Sequence, residues 1–371
     1  MKPTLAFLFL LSQPDFTCGQ DVAPPLAMPP YLQAVTQSTI YVLLESATAD
    51  TVIVEYGPTT AYGHFAHTES VESTDASTYV HNVSITGLDT NTVYHYRALQ
   101  GKSASEDATF RTAPGPGSSF RFAWMADCRT NSSIHDSIAA RISQANPVVL
   151  LYGGDLCHNS SYSAFKSEFF RPVEQSLISR VPFFNSPGNH EGWSTNTRAF
   201  TQSPASPSGT QAYFSFDYGD LHVLVLNTEV DYSPGSPQYQ FAQDDLAGTK
   251  QRWKIAIAHG HPYCAGGHGE NAHLLAMASH LFEPNNVALM LSGHSHFYQH
   301  NLVRGVHYLI IGSAGAPLYK TDTAPYTVKT TKEYNFGIFD VTPSDLRAVI
   351  YNEHGAVLDS LHLTGPPRTE E

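Results

Sequence analysis

The chain has 371 residues, 42% of them hydrophobic and 14% charged, and a formal net charge of −13. This length suggests two or more domains with a sizeable core. The acidic charge leaves no basic surface for nucleic acid or for an anionic membrane, so it excludes both as expected partners. The sequence leaves the oligomeric state open.

The N-terminus has the layout of a secretory signal peptide. One Lys precedes the apolar run LAFLFLL, and small and polar residues follow. This run is too short to span a membrane. We therefore expect a signal peptide over residues 1–20, which is removed by cleavage between about Thr17 and Gln20. The mature protein would then be secreted, extracellular or periplasmic. An N-terminal strand or a buried helix is the alternative.

Three cysteines remain after such a cleavage: Cys128, Cys157 and Cys264. An odd number leaves at least one free thiol. All three lie beside blocks rich in Asp, Asn and His, but thiolates favour softer metal sites than these blocks suggest. We expect them to be packing residues, or to include one disulfide such as Cys128–Cys157.

Residues 24–113 have the pattern of a small all-β domain. Short β-branched or aromatic runs alternate with Gly, Asp, Thr and Asn, as expected for strands and turns. Alternation places Tyr94 and Tyr96 on one strand face, toward the core of a sandwich. We interpret the domain as a spacer or a wall beside the active site, with a binding module as the alternative. The Pro- and Gly-rich stretch 112–119 predicts a linker.

From residue 119 onward, apolar runs end in blocks that contain Asp, Asn or His. The five blocks are FRFAWMADCR (120–129), VVLLYGGDLCH (148–158), PFFNSPGNHE (182–191), KIAIAHGH (254–261) and ALMLSGHSH (288–296). Such runs predict strands covered on both faces. Helical spacing over 132–145 predicts a helix between the first two strands, and 214–228 predicts a hairpin. The segments 306–319 and 336–352 are rich in strand-forming residues.

Polar side chains at the ends of several strands can converge at one edge of a sheet. Two Asp, one Asn and several His suit two divalent cations bridged by a carboxylate. The blocks therefore predict a dinuclear metal centre.

The order D-x-x, GD-x-x-x, GNHE, H-x-x-P and GHSH resembles that of the calcineurin-like metallophosphoesterases. GNHE and a preceding β domain resemble the purple acid phosphatases in particular, and LDTNTVYHYRA (88–98) resembles a fibronectin type III strand. The resemblance implies an α/β fold: a two-sheet αββα catalytic sandwich over 119–365, preceded by a fibronectin type III-like domain over 24–113. It places 306–319 and 336–352 in the second sheet.

The resemblance also implies that six residues bind the two metals. Asp155 would bridge the two metals. Asp127 and His296 would complete the first site, and Asn189, His259 and His294 the second.

The chain departs from the family at the fourth ligand of the first metal. Purple acid phosphatases have Tyr three residues after the bridging Asp, where this chain has His158. Other members have His two residues after the first Asp, where this chain has Arg129. We predict that His158 is the substitute ligand. An imidazole in place of a phenolate favours divalent Zn, Fe or Mn over ferric iron.

Three further residues are candidates for catalysis. His190 would contact the substrate and assist protonation, and His268 would lie near the leaving group. Arg129 would either bind phosphate oxygens or form a salt bridge to a carboxylate. His261 occupies a position that is often Pro in the family it resembles, so we expect it to stabilise the loop rather than contact a metal.

The implied function is hydrolysis of small-molecule phosphate monoesters by attack of a metal-bound hydroxide. A phosphodiesterase or nucleotide-cleaving hydrolase with the same site is one alternative. A non-catalytic adhesion or binding protein with a degenerate phosphatase domain is the other.

Overall fold

The structure, a computed structural model, describes residues 26–365. The predicted signal peptide over residues 1–20 lies outside this range. Within the range, β-strands dominate and six α-helices connect some of them.

The N-terminal part is all-β. Its strands are β1 (Met28–Gln33), β2 (Thr39–Ser46), β3 (Ile53–Gly57), β4 (His64–His67), β5 (Ser70–Ser73), β6 (Tyr79–Thr86), β7 (Val93–Gln100), β8 (Ser103–Ala104) and β9 (Ala108–Arg111). Strands β1, β2, β6 and β5 are neighbours in one sheet. Strands β4, β3, β7 and β8 form a second sheet, in which β9 also pairs with β7. Tyr94 and Tyr96 are buried in the core between them. The likeness to fibronectin type III remains a prediction.

This N-terminal part is joined to the rest of the chain by a continuous sheet. Strand β1 pairs in parallel with β12, with Gln33 opposite Phe183. Across the same boundary the Tyr96 hydroxyl donates to the Ser179 carbonyl at 2.7 Å, and the Tyr31 hydroxyl donates to the Phe200 carbonyl at 3.1 Å. The N-terminal strands therefore support the edge of the larger sheet through direct hydrogen bonds.

The C-terminal part contains the other strands in the described range. They are β10 (Phe120–Met125), β11 (Val149–Tyr152), β12 (Phe183–Asn185), β13 (Phe214–Tyr218), β14 (Leu221–Val225), β15 (Trp253–Ala258), β16 (Leu289–Ser292), β17 (Tyr298–Val303), β18 (Val306–Ile311), β19 (Thr327–Thr331), β20 (Asn335–Val341), β21 (Asp345–Asn352) and β22 (Val357–Thr364).

These strands form two mixed sheets, as predicted. The first has the order β22-β21-β20-β10-β11-β12 before it continues into β1, and the second has the order β13-β14-β15-β16-β18-β17-β19. The predicted hairpin is β13 with β14. The strand of 306–319 lies in the second sheet as expected. The prediction for 336–352 is wrong, because β20 and β21 join the first sheet, where Phe339 stacks on Phe122 at 4.5 Å.

The helices lie outside the sheets. They are α1 (Ser132–Ala145), α2 (Tyr162–Ala164), α3 (Pro172–Ile178), α4 (Thr195–Phe200), α5 (Pro237–Gly248) and α6 (Ala272–Met277), and π-helical turns follow α2 and α6 at Phe165–Phe169 and Ala278–Phe282. Helix α1 has the predicted bounds and buries Ile138, Ala139 and Ile142. Across the described residues, we find no helix with the length and apolar character that a bilayer crossing needs.

A charge cluster around the buried His222 lies between the hairpin and α5. His222 of β14 contacts Asp217 of β13 at 2.8 Å through Nδ1, and Asp245 of α5 at 2.7 Å through Nε2. Burial alone would lower the pKa of His222, but the hydrogen bonds and charges of the two carboxylates outweigh it and raise the pKa to about 9.

We expect this cluster to make stability depend on pH. The folded pKa lies above the unfolded value of about 6.5, so the stabilisation is fully present below that pH and is lost as pH rises to about 9. The loss should amount to about 1–3 kcal/mol, discounted because Asp217 is half exposed. His222→Gln should be less stable than wild type at pH 6 and should lack this slope in urea unfolding. Equal slopes for both proteins would contradict the assignment.

Candidate metal centre

The polar side chains of the five blocks follow strands of both sheets. Asp127 and Asp155 come two or three residues after β10 and β11, and Asn189 follows β12. In the second sheet, His259 directly follows β15 and His294 follows β16. Within each sheet these strands run parallel to their neighbours, so their carboxyl ends meet at one edge.

The turns that carry these side chains adopt unusual backbone conformations. Asp127, Asp155 and His294 have φ of 58°, 51° and 67°, the left-handed region that costs non-glycine residues about 1–3 kcal/mol. Backbone hydrogen bonds hold the turns together, since the Asp127 N–H donates to the Gly154 carbonyl at 2.9 Å. The His294 N–H also donates to Oδ2 of Asp127 at 2.9 Å. Such strain is typical of functional sites.

Two glycines of the blocks leave room for the carboxylates. A Cβ on Gly188 of GNHE would collide with Oδ1 of Asp155, and a Cβ on Gly293 of GHSH would collide with Oδ2 of Asp127. The close approach of backbone and carboxylate therefore requires glycine at both positions.

A first group of donors comprises Asp127, Asp155 and His296, whose ligand atoms all lie within 4.8 Å of one another. Nε2 of His296 lies 3.2 Å from Oδ1 of Asp127, and this buried oxygen has no hydrogen-bond partner. Nδ1 of His296 donates to the Pro317 carbonyl at 2.7 Å, so its Nε2 lone pair is offered to the site. Two carboxylates and an imidazole fit a divalent cation.

A second group of donors surrounds Nε2 of His259. This atom lies 3.3 Å from Oδ1 of Asp155, 3.1 Å from Oδ1 of Asn189 and 3.1 Å from Nδ1 of His294. Nδ1 of His259 donates to the Gly153 carbonyl at 2.7 Å, which fixes the ring. Four ligand atoms thus converge, and Asp155 is shared with the first group.

The electrostatics of this second group suit a cation. Burial, together with the neighbouring imidazoles of His259 and His268, lowers the pKa of His294 to about 2. Burial acts to lower the pKa of His259 as well, but Asp155 and Asp127 outweigh it and raise that pKa to about 9. The buried carboxylates therefore attract positive charge to the very atom around which the ligands gather.

His158 is placed differently from the other six predicted ligands. Its Nδ1 lies 2.7 Å from Oε1 of Glu168, and its side chain is 51% exposed. Its Nε2 lies 2.8 Å from Nδ2 of Asn159. His158 is not among the residues of the first group, so the structure does not bring it to that group and its role as a ligand remains a prediction.

The three predicted catalytic residues lie at the site. The His190 N–H donates to Oδ1 of Asp155 at 3.0 Å. The ring of His268 stacks on His294 with 4.0 Å between centroids. Nε of Arg129 lies 3.2 Å from Oδ2 of Asp155, which is the salt bridge considered as an alternative from the sequence.

His261 contacts a neighbouring loop beside the site. It is buried and pairs with the Ser295 hydroxyl at 2.9 Å, in agreement with a loop-stabilising role.

The three cysteines near the site are not bonded to one another. Cys128, Cys157 and Cys264 are buried free thiols, so the packing interpretation holds and the suggested disulfide is not formed.

Sequence reasoning missed residues that orient the ligands. Oε1 of Glu191 accepts the Gly188 N–H at 2.7 Å and shapes the GNHE turn. Burial and the nearby Asp155 raise the pKa of Glu191 to about 8. Tyr319 stacks on His296 with 4.0 Å between centroids. Glu191 could have been found, because it belongs to the GNHE block, whereas nothing in the pattern around Tyr319 or Glu168 points to the site.

The part of the chain that contains both donor groups matches a known protein family. Residues 120–298 match the model of the calcineurin-like phosphoesterase family. This match covers all five blocks.

Two relatives in Arabidopsis thaliana illustrate the range of similar proteins. Probable purple acid phosphatase 20 is 29% identical over 217 residues, which are 54% of this chain and 50% of that protein. Probable inactive purple acid phosphatase 1 is 23% identical over 323 residues, which are 70% of this chain and 52% of that protein. The chain thus spans about half the length of these curated relatives.

Among solved structures, purple acid phosphatase PPD1 from yellow lupin (Lupinus luteus) seeds has a similar fold. The TM-score is 0.78 with 20% sequence identity, over 90% of this chain and 74% of that one. This similarity concerns the fold and extends through the N-terminal strands.

Proposed function

Because residues 120–298 form a calcineurin-like metallophosphoesterase domain, we propose that the protein is a metal-dependent phosphatase that hydrolyses phosphate monoesters. The observation that carries the proposal is the pair of donor groups that share Asp155. Export, on the pattern of residues 1–20, is part of the proposal.

The donor sets fit two divalent ions, such as Zn²⁺, Mn²⁺ or Fe²⁺. Asp127, Asp155 and His296 would hold one ion, and Asp155, Asn189, His259 and His294 the other. Such ions supply Lewis-acid activation of water and neutralise charge on the phosphoryl oxygens.

The chain's own side chains would bind and orient the ester. His190 is suited to protonate the leaving oxygen. Its Nδ1 faces the His158 carbonyl at 2.8 Å, and its Nε2 lies 3.7 Å from Oδ2 of Asp155 with the side chain 30% exposed. An imidazole held in this way can move a proton at Nε2. His268, stacked on His294, would bound the space for the leaving group.

A second candidate is a non-catalytic phosphatase-like protein. Two observations favour it: relatives are named inactive, and Arg129 contacts the shared Asp155. The two candidates differ in whether bound metal leads to turnover.

We expect the purified mature chain to hydrolyse p-nitrophenyl phosphate in a metal-dependent way. A chelator should remove the activity, and Zn²⁺, Mn²⁺ or Fe²⁺ should restore it, because the donor groups would hold the ions that activate water. The measurement is kcat/KM for this monoester and for bis-p-nitrophenyl phosphate, together with the metal content.

A higher kcat/KM for the monoester supports the proposal, while a higher value for the diester assigns a phosphodiesterase. Bound metal without hydrolysis of either ester supports the non-catalytic candidate instead.

A further inference from the structure

The side chain of Arg129 lies across the first group of donors. Besides the 3.2 Å contact of Nε with Oδ2 of Asp155, Nη2 of Arg129 lies 3.3 Å from Nε2 of His296. The guanidinium thus contacts two of the three side chains that make up this group. The Arg129 side chain is only 11% exposed.

The loop backbone holds Arg129 in this place. The Cys128 N–H donates to the Asp155 carbonyl at 2.9 Å, and the Asn131 N–H donates to the Arg129 carbonyl at 3.0 Å. Thr130 between them has φ of 75°. A Cβ on Gly315 would collide with the Cys128 carbonyl, so a second segment packs tightly against the loop. The contacts of Arg129 therefore arise from a closely packed turn rather than from a free surface side chain.

The chemistry of the guanidinium makes it a competitor for a cation. Arg keeps its charge under all ordinary conditions, so it cannot yield its place by losing a proton. Because Nδ1 of His296 donates to the Pro317 carbonyl, Nε2 carries the lone pair that faces the Arg129 N–H. The guanidinium uses the same carboxylate and imidazole lone pairs that a metal would use, and a second positive charge nearby is repelled.

The second group of donors differs in this respect. Around Nε2 of His259 the neighbouring side chains are Asp155, Asn189 and His294, all of them possible metal ligands. Oδ1 of Asp155 faces this group, while Oδ2 faces Arg129. The two oxygens of the shared carboxylate therefore meet different partners.

We propose that Arg129 competes with metal for the first site, so that the centre loads in two unequal steps. One divalent ion binds tightly at the second site, and the next binds at the first site only when the guanidinium leaves Asp155 and His296. This inference rests on the proposed function for its two metal sites and adds the order in which they fill.

The test is a titration of the metal-free mature chain with Mn²⁺. Calorimetry measures the affinity and number of the bound ions, and electron paramagnetic resonance detects the spin-coupled pair. In wild type we expect one tight equivalent and a weaker second one, with the spin-coupled pair signal appearing only as the second binds. Arg129→Gln removes the charge and keeps a polar side chain. It should tighten the weaker equivalent about 10–100-fold, the range typical of changes beside metal ligands.

Arg129→Lys is the matched control, because it keeps the positive charge and should retain the two unequal steps. Circular dichroism and the melting temperature of the metal-free variants verify folding. Two equal equivalents in wild type, or a first site that Arg129→Gln leaves unchanged or weakens, would overturn the inference.

The outcomes also separate this inference from the proposed function. Unequal loading without phosphate-ester hydrolysis supports the inference and refutes the phosphatase proposal. Hydrolysis by a wild type with two equal sites supports the phosphatase and refutes the role of Arg129.

Discussion

Asp155→Ala is expected to abolish phosphate-ester hydrolysis, because one residue serves both donor groups. Its Oδ1 lies 3.3 Å from Nε2 of His259, and it also belongs to the cluster with Asp127 and His296. Loss of the ions would remove several kcal/mol of transition-state stabilisation, which corresponds to roughly 10³-fold or more in kcat/KM. Steady-state kinetics and metal analysis of the purified variant measure both effects.

Asp340→Ala is a matched control for this variant. Like Asp155, Asp340 is a carboxylate paired with an arginine, but it lies on β20, its partner is Arg121 at 2.8 Å, and both side chains are 42% exposed. We expect it to keep the metal and the activity of wild type. Wild-type turnover in a folded Asp155→Ala protein would show that this residue does not hold the ions.

The local part of this architecture could be predicted from the sequence. Each block is a short apolar run followed by a turn, and both features depend on neighbouring residues. Helix α1 has the predicted bounds for the same reason, since its apolar spacing lies within 132–145. The convergence of Asp127 and Asp155 follows once the parallel strands β10 and β11 are aligned, whereas His296 follows β16 of the second sheet and reaches them only when the two sheets pack together.

Non-local pairing could not be predicted in the same way. Strand β20 returns to β10 across more than two hundred residues, with Phe122 opposite Phe339. Nothing within 336–352 distinguishes a partner in the first sheet from one in the second. The parallel pairing of β1 with β12, with Gln33 opposite Phe183, is also distant in sequence, so no local pattern predicted that the sheet continues into the N-terminal part.

Side-chain direction at His158 was the least predictable feature of the site. The spacing after Asp155 suggested a ligand, but Glu168, ten residues further along the chain, binds both its Nδ1 and its backbone N–H. Glu168 lies on the π-helical turn Phe165–Phe169, a geometry that apolar spacing does not indicate. The two halves of the site therefore differ: the second has four donor atoms close together, and in the first Arg129 contacts Asp155 and His296.

The second large effect is expected from Trp124→Ala, because Trp124 connects the two sheets. The ring is fully buried, and Nε1–H donates to the carbonyl of Ile311 in β18 at 3.0 Å. Truncation leaves a large cavity and an unpaired carbonyl, so the free energy of unfolding should fall by about 3–5 kcal/mol. Urea unfolding followed by circular dichroism measures the loss.

The same substitution should also weaken the second metal site. The Trp124 ring packs against Gly153, where a Cβ would collide with it, and the Gly153 carbonyl accepts the Nδ1–H of His259 at 2.7 Å. A loosened carbonyl no longer fixes the ring that presents Nε2, and such changes reduce metal affinity about 10–100-fold. Trp124→Phe keeps an aromatic ring in the core but loses the hydrogen bond and part of the packing, so it should cost about 1–3 kcal/mol and weaken metal binding less than Trp124→Ala does. If Trp124→Ala unfolds at the wild-type urea concentration, or if it binds metal as tightly as Trp124→Phe, this link between core and site is refuted.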